Sequence, residues 1–269
     1  MGSKARESET FTFFNILLDD GSLTRPEVPL FNLHPVWLSV ERCLTALFPS
    51  GFADLRIADL ACLEGGYAVE FARMGFGEVV GIEVRDENFT RCMQVKNGLS
   101  LTNLKFIQDD VRNLERLGVF DVIFCGGLLY HLDKPVEFLK LLSRCTKKAA
   151  IINTHYAPNK PKSPCTWKKW LPKRRSESIS KFMLSPIETN EGIKGRWYKE
   201  PDLSHPWSSW QNKRSFWPLK IHLVQAIHDA GFPMVFEQYD MLGTDIIEMS
   251  DPDKEFLRAM FVGVKPASP

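Results

Sequence analysis

No apolar run in this chain approaches the roughly 20 residues needed to span a membrane as a helix, which excludes an α-helical membrane protein. There is no excess of one charge: 34 Lys and Arg face 33 Asp and Glu, so no global field draws the chain to nucleic acid or an anionic bilayer. Six cysteines (Cys43, Cys62, Cys92, Cys125, Cys145, Cys165) are scattered without a C-x-x-C pair, and several lie in apolar runs, where a reduced thiol packs as a small hydrophobe. Neither a disulfide framework nor a zinc site is expected. No His/carboxylate set has ligand spacing, so no required metal is predicted, and no internal repeat is visible. Met1-Gly2-Ser3-Lys4 carries no apolar signal core, and Arg6 stands where N-myristoylation wants Ser or Thr. These absences lead us to expect a reduced, cytoplasmic protein. At 269 residues the chain can form one large domain, or one domain with an insertion, around a proper core.

What is present is an alternation of strands and helices. Asp20-Gly21 between Ile16-Leu17-Leu18 and Leu23-Thr24 suggests a short hairpin or extended arm. His34-Pro35 then opens a helical pattern through Trp37, Val40, Cys43, Leu44 and Leu47. Strands are predicted at Arg56–Leu60, Glu78–Glu83, Leu104–Gln108, Asp121–Cys125 and Ala149–Thr154, with helices at Tyr67–Met74, Glu87–Asn97 and Pro135–Arg144 between them. Short connections between such elements imply an α/β doubly wound, mostly parallel sheet. From Tyr156 to Trp217 no period is sustained, and so long an irregular stretch is usually functional. Its tryptophans (Trp167, Trp170, Trp197, Trp207, Trp210, Trp217) need something to pack on. A helix over Leu219–Ala230 and strands near Met234–Tyr239 and Phe256–Val264 close the chain. We divide it into an arm and helix capping the site (1–54), a cofactor-binding core (55–154), a lid insertion (155–217) and the C-terminal part of the core sheet (218–269).

The first strand ends in Asp59, and a loop with Ala61, Gly65 and Gly66 leads into a helix at Tyr67. Small residues let a backbone approach a ligand, and a helix N-terminus offers unpaired N–H groups to it. The loop is not G-x-G-x-x-G: Leu63 and Glu64 occupy the space of a pyrophosphate, and Glu64 would repel one. An adenosine cofactor with a zwitterionic tail tolerates that acid better. Three further strand ends agree: Glu83 for a ribose diol, Asp109-Asp110-Val111 where adenine would lie, and Cys125-Gly126-Gly127 facing the crevice. The alternative is a strand–turn–helix unit with no ligand.

The segments Asp59–Gly66, Glu83, Asp110 and Phe120–Leu132 resemble the motif series of class I S-adenosylmethionine-dependent methyltransferases, over about Leu55–Thr154 and Leu219–Val264. That resemblance implies a Rossmann-like sheet with an antiparallel last strand, an N-terminal arm and helix, and a lid insertion between strands five and six. It implies that Asp59, Ala61 and Gly65 hold the methionine part, with Glu64 and Tyr67 beside them. Glu83 would bind ribose, Asp109, Asp110 and Val111 would meet adenine, and Cys125 and Gly126 would close the crevice. The family's loop glycines are replaced by Ala61 and Leu63 here. Leu129-Tyr130-His131-Leu132, Ile16–Gly21 and Ser208–Trp217 are also similar to a bacterial subgroup. That subgroup holds small-molecule and sugar methyltransferases of natural-product pathways and the related tRNA wobble-uridine carboxymethyltransferase.

Methyl transfer from a sulfonium is an in-line displacement, so positioning and exclusion of water dominate. A hydroxyl acceptor also needs a base, typically worth roughly 10²–10⁴-fold. His131 and His155 leave the fourth and fifth strands on one sheet edge and are the candidate bases; a structural tie is the alternative for His131. His205 lies in the insertion, and His34, His222 and His228 fall on or beside predicted helices. Tyr130, Tyr156, Trp210, Asn212 and Arg214 are candidates for acceptor binding, since aromatic rings stack on sugars and polar groups reach hydroxyls or a carboxylate. Basic residues from Lys160 to Arg175, interleaved with Trp167 and Trp170, could bind RNA or form a solvated loop. The expected acceptor is a small molecule, methylated on oxygen or nitrogen, with tRNA as the alternative partner. The oligomeric state is not legible.

Overall fold

A computed structural model describes residues 11–159, 186–200, 207–240 and 258–266 of the protein. The expected alternation forms a single seven-stranded sheet. Its strands are β1 (Arg56–Leu60), β2 (Glu78–Glu83), β3 (Leu104–Gln108), β4 (Phe120–Gly126), β5 (Thr146–His155), β9 (Met234–Gln238) and β10 (Arg258–Val264). Their order is β3-β2-β1-β4-β5-β10-β9. The first five pair in parallel, and β10 runs antiparallel between β5 and β9. The predicted bounds of β1, β2 and β3 match, whereas β4 and β5 run longer at both ends.

Strands buried on both faces need mostly apolar residues, and β1 and β4 have them, with Asp59 and Asp121 as the buried acids among them. One face is covered by α1 (Pro35–Leu47), α2 (Gly66–Arg73) and α3 (Asp86–Asn97), through Trp37, Val40, Phe71 and Val95. The other is covered by α4 (Pro135–Arg144) and α5 (Lys220–Asp229), through Phe138, Leu139, Leu223 and Ile227. The strand order reverses between β1 and β4, which opens a crevice beyond their carboxyl ends. Among the described residues no helix is long and apolar enough to cross a membrane. Cys43, Cys62, Cys92, Cys125 and Cys145 are free and buried.

The insertion differs from the irregular stretch we expected. It contains a second, antiparallel sheet of β6 (Glu188–Asn190), β7 (Ile193–Lys199) and β8 (Arg214–Pro218). The β6–β7 turn, Glu191-Gly192, has φ of 50° and 83°, the pair of positive angles that a two-residue hairpin loop requires. Glutamate is a poor signal for that turn, so the hairpin is hidden in the sequence. The basic stretch 160–175, with Trp167 and Trp170, and His205 lie outside the described residues.

The N-terminal arm is a hairpin closed by a Leu17–Leu23 bridge. It is clasped to the core by Glu64, which corrects our placement of that residue at the cofactor. Its carboxylate is fully buried and turned away from the crevice. Glu64 Oε1 accepts from Thr12 N (2.6 Å) and Thr12 Oγ1 (2.8 Å), and Oε2 accepts from Phe13 N (3.0 Å) and Phe14 N (3.1 Å). Arg91 Nε lies 3.8 Å from Oε1. The acid is there to satisfy the arm's amides, so the argument that it repels a pyrophosphate falls away. Glu64→Ala should cost roughly 3–5 kcal/mol, the usual cost of removing one partner of a buried charged cluster. Denaturant melts should show that loss, and hydrogen exchange should show the amides of Thr12, Phe13 and Phe14 losing protection.

Candidate active site

Beyond Asp59 the chain turns through left-handed conformations at Ala61 (φ 53°), Leu63 (φ 57°) and Gly65 (φ 84°). Two of these are not glycine, and each such residue costs roughly 1–3 kcal/mol unless its surroundings hold it. Here they do. Cys62 N–H donates to Ile82 O (2.9 Å), Gly65 N–H to Cys62 O (2.8 Å), and Leu63 N–H to the Glu83 carboxylate (3.0 Å). Gly65 serves packing: a Cβ there would lie 2.5 Å from the Phe106 ring. That places it behind the loop and outside the crevice lining, a correction to its expected contact with the methionine part.

Glu83 is the hub. Oε2 accepts from Leu63, and Oε1 accepts from Val84 N (3.0 Å) and Arg85 N (2.9 Å). Burial pushes its acidity weaker than an ordinary glutamate's, while those three N–H donors and the Arg85 charge pull the other way. Asp59 is 1% exposed and accepts from Ala68 N at 3.1 Å. Its pKa is raised well above the usual range, chiefly by burial and further by the charge of Glu83. Both carboxylates line one crevice of about 350 Å³. The arrangement suits a ligand that brings hydroxyl donors and a cationic group.

Ala61, Tyr67, Asp110, Val111 and Gly126 also line the crevice. Asp110 caps the 3-10 turn that follows it, accepting from Arg112 N at 2.9 Å. Asp109 does not line it. Its Oδ1 holds the turn through Asp110 N and Asn113 Nδ2, both at 2.7 Å. Cys125 points into the core and is 0% exposed, because strand alternation sends its neighbour Gly126 to the crevice instead.

At the other end stand Tyr130, His131 and Trp210. His131 Nδ1 is 3.0 Å from Oε1 of Glu200, a fully buried carboxylate at the end of β7. The His131 carbonyl accepts from Ser209 Oγ (3.1 Å) and Asn212 Nδ2 (2.9 Å). Asn212 therefore pins the lid and does not face the acceptor space. Three other candidates are likewise placed elsewhere. His155 stacks on Trp217 (4.9 Å, 9°) with its edge to Tyr130, Tyr156 is buried near the Lys220 ammonium, and the Arg214 guanidinium lies over Trp197.

The roof comes from two segments that meet, the arm through Phe13 and the lid through Trp207, their rings 5.5 Å apart. Arg85 latches the lid: Nη2 donates to Ser208 O and Ser209 O, both at 3.0 Å, and the guanidinium sits 5.0 Å from the Trp210 ring. Arg85, Glu200, His34 and Arg258 are site residues that the sequence reading missed. Arg258 lines the crevice and donates from Nε to Asn153 Oδ1 at 2.6 Å. Burial, and then the charge of Arg258, keep His34 neutral to lower pH than an ordinary histidine. Arg85 follows Glu83 closely enough to have been suspected; Glu200 and Arg258 belong to segments without a local signal. Among the described residues no group of three or more His, Cys, Asp or Glu is placed to hold a metal ion.

Asp59 has a consequence for stability. Its raised pKa means that the folded state holds its proton more tightly than the unfolded chain, so ionised Asp59 costs stability above its folded pKa. That cost is relieved as pH falls through the folded pKa. Asp59→Asn removes the charge and keeps an acceptor for Ala68 N–H. It should raise the Tm of the free protein by several degrees at neutral pH, and the gain should shrink as the medium is acidified; thermal melts across pH check both.

A family described as "Methyltransferase domain" matches residues 52–203 of the 269, more than half of the chain. The ubiquinone biosynthesis O-methyltransferase of Colwellia psychrerythraea is 30% identical over 105 residues, 38% of this chain and 42% of that protein. A tRNA U34 carboxymethyltransferase of Campylobacter lari is 27% identical over 97 residues, 36% of this chain and 33% of that protein. The chain thus spans less than half the length of these two curated relatives. The N-terminal domain of EvdMO1, solved with SAH bound, superposes with a TM-score of 0.60 at 23% identity, over 87% of this chain and 82% of that one. The chain belongs to the methyltransferase-domain family, and its sheet is the Rossmann-like fold of class I S-adenosylmethionine-dependent methyltransferases.

Proposed function

We propose that this protein transfers a methyl group from S-adenosylmethionine to an oxygen or nitrogen atom of a small-molecule acceptor. The observation that carries this reading is the pair of buried carboxylates, Asp59 and Glu83, facing one crevice that ends at His131 under an aromatic roof. Glu83 Oε2 takes a single protein donor and has a lone pair left for a ribose hydroxyl. Asp110 and Val111 line the wall where adenine would sit. Asp59 suits the ammonium of the methionine tail, and Arg258 its carboxylate. Bound S-adenosylmethionine would supply a methyl group made electrophilic by its sulfonium.

The protein's own part is placement and exclusion of water. Phe13 and Trp207 close the top, and Arg85 and Asn212 hold the lid to the core. Tyr130 and Trp210 line the crevice with His131 and are the aromatics we assign to the acceptor. The named activities of the two curated relatives diverge, one an O-methyltransferase of ubiquinone biosynthesis and the other acting on tRNA. The roofed crevice favours the small acceptor, since a nucleotide within a folded RNA would have to displace arm and lid together. A tRNA gel shift at low salt that collapses with added salt would favour the other reading.

Calorimetry with S-adenosylhomocysteine tests the cofactor. Binding is expected, and Glu83→Ala should weaken it by roughly 10- to 100-fold, the loss of one charge-assisted hydrogen bond of about 1.5–3 kcal/mol. The ionised carboxylate is the form that accepts ribose hydroxyls, and burial raises its pKa. Affinity should therefore fall on acidification, starting at a higher pH than an ordinary glutamate would set. Arg258→Met should weaken S-adenosylhomocysteine but leave 5′-methylthioadenosine, which lacks the carboxylate, unchanged. Equal losses for both ligands would remove Arg258 from that role.

A further inference from the structure

We propose that Glu200 sets His131 as a general base and that the atom methylated is consequently a hydroxyl oxygen. This rests on the methyltransferase reading and narrows it. A carboxylate can only accept, so the 3.0 Å contact with Glu200 Oε1 places the His131 proton on Nδ1 and leaves Nε2 bare. Among the described residues, the other groups bonded to the Glu200 carboxylate are neutral donors: the Ser215 hydroxyl on Oε1 and Ser209 N–H at 3.4 Å on Oε2. A fully buried carboxylate surrounded by neutral donors is best compensated when its imidazole partner becomes cationic. That is the state a base reaches as it takes a proton.

The ring is held for the task. His131 N–H donates to Leu128 O at 2.8 Å, its carbonyl carries two lid donors, and its imidazole packs 4.3 Å from the Tyr130 ring. As the acceptor oxygen forms its bond to the methyl carbon, the carbon–sulfur bond breaks and its electron pair stays on sulfur. The hydroxyl proton passes to His131 Nε2, giving an imidazolium paired with Glu200, which afterwards loses the proton to water. A neutral amine attacks without loss of a proton in the methyl-transfer step, whereas a hydroxyl must give up its proton as the bond forms, so the buried pair serves a hydroxyl acceptor in the transfer step itself. Glu200, Ser209 and Ser215 all belong to the insertion, whereas His131 belongs to the core. The base is thus complete only when the lid is docked, which ties proton transfer to the exclusion of water. Glu200 is a positioning residue and touches no acceptor itself.

The test is the imidazole nitrogen spectrum of the whole chain, labelled with 15N-histidine and titrated with S-adenosylhomocysteine. His131 should show a protonated Nδ1 and a bare Nε2 at a pH where the ring is neutral. Glu200→Met, which removes the acceptor and keeps the bulk, should abolish that preference, whereas Ser215→Ala, which keeps the carboxylate, should retain it. A wild-type His131 protonated on Nε2 overturns the proposal, and so does an unchanged tautomer in Glu200→Met. If Glu200→Met does not fold, the wild-type tautomer alone decides. Failure of S-adenosylhomocysteine to bind would instead remove the methyltransferase reading, since the tautomer is measurable in the free protein too.

Discussion

The contact between the Glu83 carboxylate and the Leu63 amide joins the two strands that build this site. Without it, the left-handed turn at Ala61 and Leu63 would lose its one carboxylate contact and be left with the Ile82 and Cys62 carbonyls and the Cys92 thiol on Leu63 O. That turn sets α2 and brings Asp59 and Ala68 into register. It also carries Glu64, whose carboxylate seats the arm. One acid at the end of β2 therefore governs the cofactor loop directly and half of the roof indirectly.

The site is costly to keep. Asp59 and Glu83 are buried, which raises the pKa of both, and the charge of Glu83 further opposes the ionisation of Asp59. Such strain is expected where a protein holds groups for a ligand and not for its own stability. The stabilising interactions lie around the site: the aromatic cluster of Phe14, Phe31 and Tyr67 beneath the arm, and the Arg85 latch on the lid. A ligand donating a hydroxyl to Glu83 and a positive charge to Asp59 would offset the cost of burying the two acids.

The core was legible because its signals are local. Apolar runs ending in Asp59, Glu83 and Gly126 mark strand ends directly, and His34-Pro35 marks a helix start with a side-chain cap on Val36. The resemblance to methyltransferases rested on those same residues. What failed was direction. Glu64 and Asp109 sit at the right positions in the chain, yet their side chains serve backbone amides that no spacing reveals. The insertion hid both its hairpin and Glu200, whose importance comes from a partner 69 residues away. Residues joined only in three dimensions, such as Glu200 with His131 or Arg258 with Asn153, leave no periodic trace.

We propose that one crevice aligns an adenosine cofactor between Glu83 and His131, and a crystal structure with S-adenosylhomocysteine decides it. A ribose hydroxyl should lie on Glu83, the adenine beside Asp110 and Val111, and the sulfur should turn toward the Tyr130–His131 end beneath Trp210. A ligand whose ribose lies away from Glu83, or whose sulfur faces away from His131, would contradict it.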